Sequence, residues 1–252
     1  PGAARGAAAA RMSRGLFVTG TDTGCGKTFV ARALLRHLRV QGVRAVGFKP
    51  VAAGAAWRDG LLLNDDALAL IAASGLDLPY AAVNPYCFES AVAPHLAAEA
   101  QGVEISAPAI LAALDALRMA HDFVVVEGAG GWRVPLSPTL DIAGLARMLD
   151  LPVLLVVGLR LGCLNHALLS EQVIRDSGVR LAGWVGSQVE PDMVCLNENV
   201  ATLVDRLAAP CLGVLTHPDW PGRLAPPRPL AAAARWGCST PNGSASMGKG
   251  MT

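Results

Sequence analysis

From Gly15 to Leu215, short apolar runs alternate with longer amphipathic segments. The runs at 15–20, 43–48, 123–127, 152–157, 181–189 and 212–215 predict strands. The segments 27–40, 64–73, 106–121, 141–149, 165–177 and 194–207 carry apolar residues at helical spacing and predict helices. In the first of these, Phe29, Val30, Leu34, Leu35 and Leu38 share one face. Asp65 and Asp66 stand in the first turn of the second, where the helix dipole favours acids. Strands that are apolar almost throughout, separated by helices, imply an α/β fold with a mostly parallel, doubly wound sheet covered on both faces. Sheets of this kind bind ligands at the carboxyl ends of their strands. With no internal repeat and no interior linker, the pattern reads as a single domain.

Composition narrows the function classes. Of 252 residues, 52% are apolar and 16% charged, which excludes a disordered chain. A net charge of +1 gives no sign of a nucleic-acid or membrane surface. The longest apolar run, 151–159, falls short of the roughly 20 residues a membrane span needs. Six scattered cysteines form no C-x-x-C pair, so reduced thiols and a cytoplasmic location are expected.

Residues 1–11 read as an N-terminal extension ahead of Met12. Their arginines also leave an organelle-targeting segment open. Residues 223–252 read as an irregular, partly disordered tail, which leaves 12–222 as the folded domain. The two tails hold six basic residues and no acid, so the body carries 15 basic against 20 acidic residues. Eighteen of the basic residues are arginine; Lys27 and Lys49 are the only lysines between Met12 and Pro221.

Candidate chemistry begins after the first strand, at Gly20-Thr-Asp-Thr-Gly-Cys-Gly-Lys-Thr28. A phosphate group needs backbone N–H donors, the positive end of a helix and a mobile ammonium. The glycine-rich turn supplies the first two and Lys27 the third. The Thr28 hydroxyl can reach Mg²⁺. Five residues separate Gly20 from Gly26, one more than in the common phosphate-loop spacing. A P-loop NTPase-like domain is therefore expected. A metal-holding acid is expected at the end of another strand. Glu127 fits, because it follows four apolar residues and precedes Gly128-Ala129-Gly130-Gly131. Asp66 is a second candidate, although alone it would read as a solvent-facing acid at a helix start.

The chain resembles the dethiobiotin synthetase family. The resemblance covers 15–215 and rests on VTGTDTGCGKT at 18–28, GFKPVAAG at 47–54, NDDALAL at 64–70, VNPYCF at 83–88, VVEGAGGW at 125–132, LPVLLVVGLRLGCLNHALLS at 151–170 and LAGWVGSQV at 181–189. It implies ring-closing carboxylation of 7,8-diaminononanoate with CO₂ and ATP, through a carbamate and a carbamic–phosphoric anhydride. In that scheme Lys27, Lys49 and Thr23 are catalytic. Gly24, Cys25, Gly26, Lys27, Thr28, Phe29, Asp66, the 127–130 backbone, Ser187 and Gln188 bind nucleotide. Thr28, Asp66 and Glu127 hold Mg²⁺. Ala53 borders the substrate, and Gly162, Cys163, Leu164 and Asn165 receive its carboxylate from the neighbouring subunit of a homodimer. From the residues alone, Cys163 reads as a buried thiol and Asn165 as a helix N-cap.

Three positions depart from the family pattern. Gly24 stands where an acid is common, Ala53 where a hydroxyl is common, and Ser187-Gln188 where Asn-Asp is common. A lost hydrogen bond to a charged group is worth about 1.5–3 kcal/mol. Weakened turnover and looser reading of the base are therefore expectations. Two alternatives stay open: a nucleotide-binding homologue with weak turnover, and a partitioning-type ATPase switch.

Overall fold

The computed structural model describes residues 15–216. The expectations for residues 1–11 and 223–252, and the boundaries at 12 and 222, fall outside them. The main sheet comprises β1 (Gly15–Gly20), β2 (Ala45–Phe48), β7 (Phe123–Glu127), β8 (Val153–Leu159), β9 (Leu181–Gln188) and β10 (Cys211–Leu215). Its order is β10-β9-β8-β1-β7-β2, with every neighbouring pair parallel. The long helices are α1 (Lys27–Val40), α2 (Asp65–Ser74), α5 (Ala107–Ala120), α6 (Ile142–Leu149), α7 (Cys163–Asp176) and α8 (Leu196–Arg206).

Successive side chains of a strand point to opposite faces, and β1 shows the consequence. Phe17 joins one core with Val124, Val126, Leu155 and Val157, packed under Ile110, Leu145 and Ile174 of α5, α6 and α7. Leu16 and Val18 join the other, with Val125, Leu154 and Val156 under Val30, Leu34 and Leu35 of α1 and Leu70 of α2. Burying one such leucine stabilises the fold by about 1.5–3 kcal/mol. Both faces are covered, which is why the strands carry no polar alternation. On α1 the buried stripe includes Ala31, and Phe29 is only half-buried.

Four short strands and two short helices go beyond the sequence pattern. They are β3 (Val51–Ala53), β4 (Ala56–Arg58), β5 (Leu61–Leu63), β6 (Tyr86–Phe88), α3 (Tyr80–Val83) and α4 (Pro94–Ala100). Strands β3 and β6 pair in parallel, and β4 and β5 form an antiparallel hairpin. Elements of three to seven residues are too short to show a clear period. Four boundaries differ from expectation by two residues: β2 starts at Ala45, β8 runs on to Leu159, α7 starts at Cys163 and α8 at Leu196. Val43 belongs to the turn after α1, its N–H donating to Leu38 O. Helix α7 starts at Cys163, behind Gly162 at φ 94°, so Asn165 lies inside the first turn and is not the N-cap. Among the described residues the cysteines are free thiols, and Cys163 is buried. No helix there is long and apolar enough to cross a membrane.

Candidate functional site

Strands β1, β7 and β2 lie side by side, and their carboxyl ends assemble the site. Val18 is in register with Glu127, and Phe48 with Val126. The next residue along β2 is Lys49, so the sheet delivers an ammonium and a carboxylate to the same spot. The loop after β1 runs from Thr21 to Gly26 and opens α1. Gly26 sits at φ 93°, in the left-handed region, and α1 has no side-chain cap and no acid in its first turn. Its first N–H groups therefore face the loop as anion donors. A Cβ on Gly26 would stand 2.2 Å from Ser187 Oγ, so only glycine fits there.

Asp66 comes from the start of α2. Asn64 caps that helix, its Oδ1 accepting from the N–H of Asp66 at 3.0 Å and of Ala67 at 3.3 Å. The cap aims Asp66 at the end of β7. Thr28 Oγ1 lies 2.7 Å from both Asp66 Oδ1 and Glu127 Oε1. Lys49 Nζ donates to Glu127 Oε1 at 2.6 Å, Asp66 Oδ2 at 2.9 Å and Gly128 O at 3.4 Å. Burial alone would depress the Lys49 ammonium. The charges of Glu127 and Asp66, with their hydrogen bonds, outweigh it and hold Lys49 above the ordinary lysine value. Burial opposes the charged form of Asp66, but the Lys49 charge and the bonds from Lys49 and Thr28 hold it below the ordinary aspartate value. Lys27 is also buried, and burial, with the Lys49 charge, pushes its ammonium down. Its Nζ donates to Asp22 O at 2.9 Å.

The oxygen cluster has more acceptors than protons to fill them. Thr28 has one hydroxyl hydrogen for two carboxylate oxygens at equal distance. Glu127 Oε2 is buried with no hydrogen-bond partner among the described residues. Three hard oxygens from a hydroxyl and two carboxylates match what Mg²⁺ takes from a protein when phosphate and water complete its shell. The donor set fits the ion.

These groups line a cavity of about 740 Å³. It gathers Thr23, Gly24, Gly26, Lys27, Thr28, Lys49, Ala53, Asp66, Glu127, Ala129 and Gly130 of the expected residues. Cys25 is buried behind the loop, and Gly128 contributes its carbonyl to Lys49. Phe29, Ser187, Gln188 and the 162–165 segment do not line it. Ser187 packs beneath Gly26, and Gln188 spends its amide N–H groups on Glu190 O and Pro191 O. Asn165 and Gly162 are exposed.

Sequence reasoning missed the wall formed by Ala91, Val92, Pro94 and Val134. It also missed Arg160, whose guanidinium bonds Asp22 of the phosphate loop at 2.9 Å. No local pattern marks either, because both depend on contacts between distant segments.

A glycine-rich loop between the first strand and first helix of a parallel doubly wound sheet, with a lysine and a threonine at the helix start, defines a P-loop nucleotide-binding protein. The family described as "AAA domain" matches residues 14–219. At the level of the fold, the chain is similar to the septum site-determining protein MinD of Pyrococcus horikoshii, a structure complexed with Mg-ADP. The TM-score is 0.51 at 16% identity, over 81% of each chain. It is 52% identical over 204 residues to the ATP-dependent dethiobiotin synthetase BioD of Aromatoleum aromaticum, covering 81% of this chain and 91% of that one. It is 50% identical over 219 residues to the synthetase of the same name from Pseudomonas aeruginosa strain PAO1, covering 86% and 93%. The chain belongs to the ATP-dependent dethiobiotin synthetase family.

Proposed function

We propose that this protein makes dethiobiotin from 7,8-diaminononanoate, CO₂ and ATP in biotin biosynthesis, as a cytoplasmic, Mg²⁺-dependent homodimer. The observation that carries the reading is identity of about half over four fifths of the chain to synthetases of that name. The convergence of Lys27, Lys49, Thr28, Asp66 and Glu127 on one cavity supports it. A partitioning ATPase is the weaker reading, since its likeness is confined to the fold.

One amine takes up CO₂ as a carbamate and loses a proton. The γ-phosphoryl group passes to a carbamate oxygen, and ADP leaves. The second amine then attacks the carbonyl carbon, loses a proton, closes the ureido ring and expels phosphate. Such a transfer needs positioning and charge neutralisation more than covalent chemistry by the protein. Lys49, held charged, is an electrostatic clamp for the carbamate and the γ-phosphoryl group rather than a base. Lys27 gives one hydrogen to Asp22 O, has Cys25 Sγ at 4.0 Å, and can turn its remaining donors to the β- and γ-phosphates. The loop N–H groups from Gly24 to Thr28 cradle the phosphates, with Cys25 packed behind the loop.

Thr28, Asp66 and Glu127 would hold Mg²⁺. Once bound, the ion supplies neutralisation of phosphate charge and alignment of the transferred group. Thr23 offers a hydroxyl at the cavity rim; Ala53 offers none. The apolar wall of Val51, Ala91, Val92 and Val134 suits a methylene chain. Leu161 is 94% exposed beside Gly162, apolar surface that a second subunit would cover while Gly162–Asn165 receives the substrate carboxylate.

The test is phosphate release by the purified protein with MgATP and bicarbonate. Release is expected to require the diamine. Hydrolysis at the same rate without it would overturn the ligase reading.

A further inference from the structure

Tyr80 lies outside the cavity, yet its hydroxyl touches both halves of the charge cluster through their supports. It accepts from the Asn64 N–H at 2.8 Å and donates to Asn84 Oδ1 at 2.7 Å, with Cys87 Sγ at 3.3 Å. Asn84 is buried, and its amide donates to Lys49 O at 2.7 Å and to Tyr86 O at 3.0 Å. Two carbonyls on the nitrogen side fix the orientation of that amide, because only the NH₂ group can serve them. Oδ1 must then face Tyr80, and the single phenolic hydrogen is committed to it. The lone pairs that remain are free for the N–H of Asn64.

Asn64 in turn caps α2 and sets the backbone of Asp66. The Lys49 N–H donates to Val83 O, at the end of the same short helix that carries Tyr80. One hydroxyl thus joins the strand end that presents Lys49 to the helix start that presents Asp66.

We propose that Tyr80 is a positioning residue that fixes Lys49 and Asp66 relative to each other, with Asn84 as its arm to Lys49 and Asn64 as its arm to Asp66. The proposal rests on the roles assigned above to Lys49 and Asp66. It makes a separable claim about each arm. Tyr80→Phe keeps the ring but leaves Asn84 Oδ1 and the Asn64 N–H without their partner, so it disturbs both arms. Asn84→Ala frees the carbonyls of Lys49 and Tyr86 and the hydroxyl hydrogen of Tyr80, and it leaves the cap of α2 in place.

The experiment compares the two variants with the parent protein. The readouts are dethiobiotin turnover, ATP affinity with and without Mg²⁺, and thermal unfolding. Tyr80→Phe is expected to lower kcat about tenfold, the equivalent of about 1.4 kcal/mol. It should also weaken the Mg²⁺-dependent gain in ATP affinity about threefold while metal-free ATP affinity is kept. Asn84→Ala should lower kcat similarly and leave the Mg²⁺-dependent gain unchanged. Parental kcat and parental Mg²⁺ dependence in Tyr80→Phe would overturn the proposal. So would a loss of metal-free ATP affinity as large as the loss in kcat, which is general loosening. If one variant fails to fold, the other still decides its own arm. If the parent makes no dethiobiotin, the function assigned above fails, and the Mg²⁺-dependent gain still tests the Asp66 arm.

Discussion

Replacing Lys49 with methionine removes one charge from the cluster and keeps the length of the side chain. The Lys49 side chain is 4% exposed and Glu127 0%, with nitrogen and oxygen 2.6 Å apart. Breaking a buried pair by deleting one partner costs about 3–5 kcal/mol, because the other charge is left uncompensated. The Asp66 arm adds little, since that carboxylate is 43% exposed and screened by solvent. The lower end, about 3 kcal/mol, is therefore expected, which lowers Tm by roughly 6–12 °C for a domain of this size. The sign with pH follows from Asp66. In the parent the Lys49 charge and hydrogen bond help hold its carboxyl below the ordinary value of 3.8, a contribution that is present above that pH and lost as pH falls through the lowered value. Lys49→Met lacks it, so the gap to the parent should stand between pH 5 and pH 8 and narrow as pH falls below about 4. Mg²⁺ should return more stability to the variant than to the parent, since the ion would replace the lost charge. The assay is thermal unfolding across that pH range, with and without Mg²⁺. A gap that is absent, or that does not change with pH, would refute the reasoning.

Gly26→Ala should fail on two counts: a left-handed φ, and a methyl 2.2 Å from Ser187 Oγ. A stability loss of about 1–3 kcal/mol with loss of ATP binding is expected by denaturant titration and calorimetry, and parental values would contradict it. The two buried lysines should also differ in reactivity. Burial holds the Lys27 ammonium below the ordinary value, while carboxylates hold that of Lys49 above it. A mild acylating reagent at pH 8–9, followed by peptide mass, should mark Lys27 first, and ATP should protect it; earlier marking of Lys49 would count against the charge assignment.

The alternation that builds the sheet was legible because strands buried on both faces leave long apolar runs. Glu127 stood out as the charge that ends such a run, and Lys49 as one of two lysines in an arginine-rich body. Asp66 did not stand out alone: its place in the first turn suits a solvent-facing acid, and only the Asn64 cap shows where it points. Between Val51 and Ala100, α2 apart, the elements resisted reading because the strands span three residues each, too few to show a period. The Tyr80 hub was hidden for another reason. Its partners are backbone groups and amides, which leave no charge or spacing signal. The start of α7 shifted because Gly162 takes a left-handed φ, a choice that sequence permits but does not announce.

The most direct test of the central claim follows the carbon. The purified protein, given the diamine, MgATP and ¹³C-bicarbonate, should yield dethiobiotin carrying a single heavy carbon, with one phosphate released per ring closed. Phosphate release without labelled dethiobiotin would contradict the account.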